Sequence, residues 1–382
     1  MRDTAALRFV VLLGLVSLLA DVTYEGARSI TGPYLGLLGA SATAVGLTAG
    51  AGELIGYALR LASGVLADRT RAYWLLTIFG YALNLAAVPL LALAGRWEVA
   101  AALIIAERTG KAIRTPARDA MLSHATKSLG RGWGFGLHEA MDQVGALAGP
   151  LVVAAALART GRYQTGFALL AIPASLALIA LLVARRNTPD PRDLEPRPVS
   201  IEGRSLPRAF WLYAGACGLM AAGFVDFPLI AFHLKRAALA SDTAIPLLYA
   251  LAMGVDALAA LAFGRLYDRF GLPVLQAGAV FAAAAVPLLY LGGFRAAILG
   301  MALWGAALGA QESIVRAAVA GFAPPERRGS AYGIFSFCFG LCWFLGSASM
   351  GLLYGRSPAA LVAFSMALQF LAMVALGRAR TR

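Results

Sequence analysis

Gly64-Val65-Leu66-Ala67-Asp68-Arg69 closes one long apolar stretch, and Gly264-Arg265-Leu266-Tyr267-Asp268-Arg269 closes another, about 200 residues later. Arg131-Gly132-x-x-Phe135-Gly136 opens a later stretch, and Arg328-Gly329-x-x-Tyr332-Gly333 opens its counterpart at a similar offset. Asp21 sits late in the first stretch and Asp226 late in the seventh. One shared hexapeptide could arise by chance. Three matches in the same order at a nearly constant offset indicate a duplicated unit.

Working outward from these motifs, the chain divides into apolar blocks of about 20 residues, the length a helix needs to cross a bilayer. The blocks run roughly 8–33, 42–67, 72–94, 98–113, 131–157, 163–183, 210–234, 244–267, 273–292, 296–320, 330–354 and 359–376. Hydrophobic residues make up 60% of the chain and charged ones 14%, well away from soluble composition. The runs are continuous rather than alternating, which excludes a β-barrel and leaves helices as the spanning elements. The fold expected is an all-α membrane protein with twelve transmembrane helices in two pseudo-symmetric six-helix bundles. The first block is too long for a signal peptide and lacks a small-residue cleavage site, so it is expected to stay in the mature chain.

The one long polar stretch, 185–208, carries Pro189, Pro191, Pro196, Pro198 and Pro207 among charges. It is read as a cytoplasmic linker between an N-terminal bundle, 1–184, and a C-terminal bundle, 209–382. The net charge of +13 could suggest nucleic acid. Lys and Arg, however, crowd the linker and the other loops on one side, which is the positive-inside pattern of a membrane protein with both termini cytoplasmic. These basic loops suit an anionic leaflet. Cys217, Cys338 and Cys342 lie within apolar blocks and read as packing residues. No metal-ligand cluster, nucleophile–base spacing or phosphate loop is recognisable, so no metal, cofactor or enzymatic activity is expected.

The duplicated Gly-x-Leu-x-Asp-Arg loops resemble the signature loop of the major facilitator superfamily. The usual Gly after the motif is Arg71 in the first copy and is kept as Gly271 in the second. The resemblance covers the whole chain. It implies alternating access about a central site, with Asp68, Arg69, Asp268 and Arg269 as gate residues, and a monomer as the usual state. Gly136-x8-Gly145-x3-Gly149-Pro150 is similar to the front of the proton-antiporter motif of that superfamily; Val153 and Ala154 replace its later glycines. Independently of the name, small residues at helical spacing let two helices approach closely, and Pro150 bends the helix. Arg108 sits where the family often places an Arg with a role in proton transfer.

Intramembrane charge is costly, about 2.5–3.5 kcal/mol at a helix centre on insertion scales. Asp21, Glu25 and Arg28 share one helix face, with Asp21 about 20 Å from the inner end. Glu53 is central in the second span. Glu107, Arg108 and Lys111 lie in the fourth span, and His138, Glu139 and Asp142 in the fifth. The family fold implies that these four spans line a central cavity. A carboxylate desolvated there can take and give a proton near neutral pH. Proton-coupling candidates are Glu53 first, then Asp21 and Asp142, with Glu107, Glu139, Arg108 and His138 behind. Substrate-binding candidates are Asp21, Glu25, Arg28, Glu53, Lys111, Asp226, Asp256, Trp304 and Glu312. Phe224, Phe227, Tyr249, Phe335, Phe339 and Trp343 are further candidate pocket walls.

Glu312 and Arg316 stand in the stabilising i, i+4 order and also read as a structural bridge. His233, Lys235 and Arg236 are expected in the outer headgroups. Pro116 is expected to end the fourth helix, placing Arg114, Arg118 and Asp119 at the inner mouth, with Arg118 as a gate residue against the Asp68 loop. Facing the cavity, these basic residues would favour an anionic or zwitterionic substrate group.

The leading functional expectation is proton-coupled transport of a small solute across a bacterial inner membrane, most simply export by antiport. Symport for uptake of a metabolite would use the same carboxylates. A sensor or scaffold that no longer transports would gain nothing from so much buried charge.

Overall fold

The computed structural model describes residues 2–125, 131–188, 206–322 and 328–379. Most of the linker, 189–205, therefore lies outside the described residues. The described chain is helical almost throughout. The first half consists of α1 (Arg2–Leu37), α2 (Ala42–Thr70), α3 (Tyr73–Leu90), α4 (Trp97–Ala125), α5 (Arg131–Thr160), α6 (Tyr163–Leu169) and α7 (Ala171–Asn187). The second consists of α8 (Arg208–Ala222), α9 (Phe227–Arg236), α10 (Ala244–Phe270), α11 (Pro273–Tyr290), α12 (Phe294–Phe322), α13 (Arg328–Arg356) and α14 (Pro358–Arg378).

Two spans are each built from a pair of helices, α6 with α7 and α8 with α9. Ten of the resulting segments are long and apolar enough to cross a membrane. Adding α2 and α4 gives the twelve expected spans. Glu53 and several glycines dilute the apolar character of α2, and buried charges dilute that of α4. Leu75 and Leu258, 69% and 72% exposed, are among many large apolar side chains on the outside of the protein, where lipid rather than water is the suitable solvent.

The duplication is visible in backbone geometry. Arg71 and Gly271 both adopt positive φ, +54° and +71°. Each ends its helix with the same bond: Arg71 N–H donates to the Ala67 carbonyl and Gly271 N–H to the Tyr267 carbonyl, both at 2.8 Å. The left-handed residue turns the chain so that the next helix starts two positions later. Gly271 adopts this conformation without a Cβ penalty, and Arg71 does not.

One expectation fails. Pro116 does not end the fourth helix: α4 continues through it to Ala125. Proline supplies no N–H to the carbonyl four residues back, that of Ala112. The Ser63 hydroxyl of α2 donates to that carbonyl at 2.9 Å and takes the place of the missing donor. Arg114 and Arg118 thereby stand on a continued helix instead of in a loop.

By compactness the chain forms two units, 1–30 with 58–198 and 31–57 with 199–382. The division falls inside α1 and α2. In the second unit, glycines explain why 31–57 packs so closely: a Cβ at Gly32 would clash with the Pro228 backbone, and one at Gly50 would lie 3.1 Å from Phe344 Cα.

Candidate functional site

In the first unit, α1, α3, α4 and α5 carry a buried polar network. Gly145 and Gly149 of α5 bring it together. A Cβ at Gly145 would meet the Leu18 carbonyl and the Asp21 side chain, and one at Gly149 would lie 2.5 Å from the Val22 carbonyl oxygen. Asp142 lies three residues before Gly145, on the same face of α5, and so turns toward α1.

The cations follow one face of α4, at positions 108, 111, 114 and 118. Arg108 Nε pairs with Glu107 Oε2 at 3.3 Å, and Asn84 of α3 donates to Glu107 Oε1 at 2.7 Å. Lys111 Nζ lies 3.9 Å from Glu25 Oε1 and 3.8 Å from the centre of the Tyr24 ring. The Tyr24 hydroxyl donates to Asp21. Arg114 lies over the Tyr81 ring at 4.1 Å. Arg118 Nη1 donates to Ser17 Oγ at 2.7 Å and lies 3.9 Å from Asp142 Oδ2, while its Nη2 contacts Asp119 at 2.8 Å. Ser17 Oγ is also 3.2 Å from His138 Nε2 and 3.3 Å from the Tyr81 hydroxyl, and His138 Nε2 is 3.7 Å from Asp142.

Asp21, Glu25, Arg108, Lys111, Glu107, His138 and Asp142 thus belong to this network, joined as neighbours in one unit. Arg28 stands half-buried in the same unit. Glu139 is exposed, and Gln143 donates to it at 3.5 Å. Ser17, Tyr24, Tyr81, Asn84 and Arg114 are additional members. Ser17 and Tyr24 stand at i−4 and i+3 from Asp21, a spacing that could have revealed them.

The second unit is built differently. Asp226 lies at the break between α8 and α9, accepts from Trp343 Nε1 at 2.9 Å, and also accepts from the Ser347 hydroxyl. Trp304 Nε1 donates to the Val225 carbonyl at 2.8 Å. Aromatic rings continue from this point: Phe224 stacks on Trp304 at 5.3 Å and contacts Trp343 at 5.5 Å. Trp343 leads to Phe339 and Phe335, while Phe227 meets Tyr249 at 4.2 Å. Tyr57 of α2 reaches Phe339 edge-on at 5.4 Å. Asp256 is buried on α10, where Gly309 of α12 packs against its backbone; Glu53 is half-buried on α2 and Glu312 exposed on α12. The Arg316 side chain lies outside the described residues.

His233 is buried within the protein, bonded to the Tyr354 hydroxyl at 2.9 Å, with its ring tilted against that of Tyr290 at 4.6 Å. The hydroxyl and ring surfaces provided by α13 and α11 let the imidazole sit inside, whereas Lys235 stays near the surface and pairs with Asp242. Among the gate residues, Arg69, Asp268 and Arg269 are exposed at helix ends, and the Asp68 side chain lies outside the described residues. Arg118 points into the Ser17–Asp142 cluster. Pro150 is accommodated within α5.

A chain of apolar spanning helices with charges gathered in their interior is a multi-pass membrane protein. The match of residues 13–347 to the Major Facilitator Superfamily model is decisive, and the chain belongs to that family of transporters. It is 45% identical to uncharacterized proteins of Mycobacterium tuberculosis and Mycobacterium bovis, over 97% of this chain and 92% of each relative. It is 26% identical to an uncharacterized MFS-type transporter of Methanocaldococcus jannaschii, over 94% of this chain and 91% of that protein. Among solved structures, the fold is similar to a peptide transporter POT in complex with sulfate, with TM-score 0.77, 16% identity and coverage of 98% and 96%. It is also similar to a bacterial homologue of the lysosomal transporter Spinster, with TM-score 0.72, 16% identity and 98% of each chain covered.

Proposed function

We propose that this transporter exchanges protons for a small solute, with Asp21 and Asp142 as proton carriers and export as its direction. The observation that carries the reading is the clustering of the buried Asp21 and the partly buried Asp142 with Lys111, Arg118 and His138. Each carboxylate has a cation or hydroxyl close enough to stabilise its ionised form and too few partners to fix it permanently. Substrate and proton then compete for the same groups, so loading one releases the other. Glu53, central on α2, is a third candidate carrier. Asp68, Arg69, Asp268 and Arg269 would serve as gates at the helix ends. The basic loops and the mycobacterial relatives support a bacterial inner membrane with both termini cytoplasmic, and the chain would act as a monomer.

The test uses inside-out vesicles energised to an acidic lumen, a quenched pH dye and a panel of solutes. A solute that dissipates the gradient with the wild type but not with Asp142→Asn or Asp21→Asn supports exchange through these groups. Dissipation that persists in both variants and disappears in Glu53→Gln transfers the proton to Glu53. Uptake of a labelled solute into cells together with protons would replace exchange by symport.

A further inference from the structure

Arg114 is the most deeply buried cation of the α4 row, at 1% exposed. Its neighbours in the row each have a carboxylate: Glu107 for Arg108, Glu25 for Lys111, and Asp119 with Asp142 for Arg118. Among the described residues Arg114 forms an ion pair with none, although Asp142 lies near enough to feel its charge, and its Nε and Nη1 find no hydrogen-bond acceptor. It contacts aromatic faces instead, Tyr81 at 4.1 Å and Tyr24 at 5.8 Å. Burying a guanidinium on ring faces alone is unfavourable, because its N–H groups lose water without gaining acceptors. Lys111 shares the Tyr24 ring with it, at 3.8 Å, and its link to Glu25 is loose at 3.9 Å. Two cations three residues apart on one helix face therefore meet at one tyrosine, one unpaired and the other weakly paired.

We infer that Arg114 and Lys111 form an anion subsite for an acidic group of the transported solute, a carboxylate or a phosphate. The inference rests on the transport reading above and narrows it to an anionic or zwitterionic solute. The planar guanidinium suits two-point contact with either oxyanion, and the Lys111 ammonium adds a point charge beside it.

Binding tests the inference without relying on proton movement. Detergent-purified full-length protein is followed by thermal unfolding in inorganic phosphate, in succinate and in chloride at matched ionic strength. The expected result is a concentration-dependent rise in Tm with phosphate or succinate above chloride, absent in Arg114→Gln and reduced in Lys111→Gln. The anion that acts identifies the phosphate or carboxylate class. An equal rise in the wild type and Arg114→Gln, or no rise above chloride in the wild type, overturns it. If Arg114→Gln does not fold, Arg114→Lys serves as the second variant: retained charge with lost fork geometry should weaken the anion response at least tenfold in half-saturating concentration. Anion binding that persists in Asp21→Asn and Asp142→Asn, with no proton exchange, would leave this inference standing while the exchange reading fails.

Discussion

At the scale of single residues, Pro116 and Arg71 show how a local violation is compensated or left in place. Ser63 replaces the donor that Pro116 withholds from the Ala112 carbonyl. Ser63→Ala removes that donor in a place shielded from water, and should lower stability by about 1–3 kcal/mol, read as a fall in Tm of purified protein. Ser63→Thr, which keeps a hydroxyl, should restore most of it. Arg71 has no such compensation. Arg71→Gly removes left-handed strain of about 1–2 kcal/mol against an entropic cost of about 0.5–1. A modest rise in Tm is expected, and a fall would show that the Arg71 side chain makes contacts worth more than the strain. The charged members of the network could be read from the sequence, because a charge inside an apolar run is conspicuous. Most of their partners could not. Tyr81 and Asn84 are ordinary residues in a helix until the neighbouring helix is placed beside them, and Arg114 stands two residues before a proline that does not end its helix.

At the scale of elements, helix lengths and order follow from the apolar blocks, while breaks and close approaches depend on neighbours. The span 208–236 is continuous in hydropathy yet interrupted at Gly223–Asp226, where Asp226 is held by Trp343 and Ser347 of α13. Nothing in its own sequence beyond one Asp and one Pro announces that break. The α1–α5 seam was more legible, since Gly145 and Gly149 stand one turn apart. The structure gives the reason for them: the backbone of α1 occupies the space a side chain would need. Gly145→Leu should therefore separate the two helices and cost about 3 kcal/mol. It should also move Asp142 away from Asp21, so that the folded fraction transports poorly even after correction for expression. Gly56→Leu, at a glycine with open space around it, is the control expected to have little effect on folding.

At the scale of the whole molecule, the linker and the compact units divide the chain differently. The sequence places the boundary between 184 and 209, where charge and proline collect. Compactness instead assigns 31–57 to the same unit as 199–382. Local composition does not register this, because the glycines concerned contact residues nearly 200 to 300 positions away, Gly32 at Pro228 and Gly46 at Ser347. A chain cut in the linker would leave 31–57 on the first fragment and its packing partners on the second. Co-expressed fragments 1–198 and 199–382 should then be recovered together when only one carries an affinity tag. Gly46→Leu combined with Gly32→Leu should abolish that recovery, because Leu cannot occupy space filled by the Ser347 and Pro228 backbones. Recovery unaffected by both substitutions would mean that other surfaces hold the fragments together. If the double variant of the intact chain folds but loses solute exchange, the glycine contacts between 31–57 and the α9 and α13 helices are needed for the transport cycle as well as for assembly.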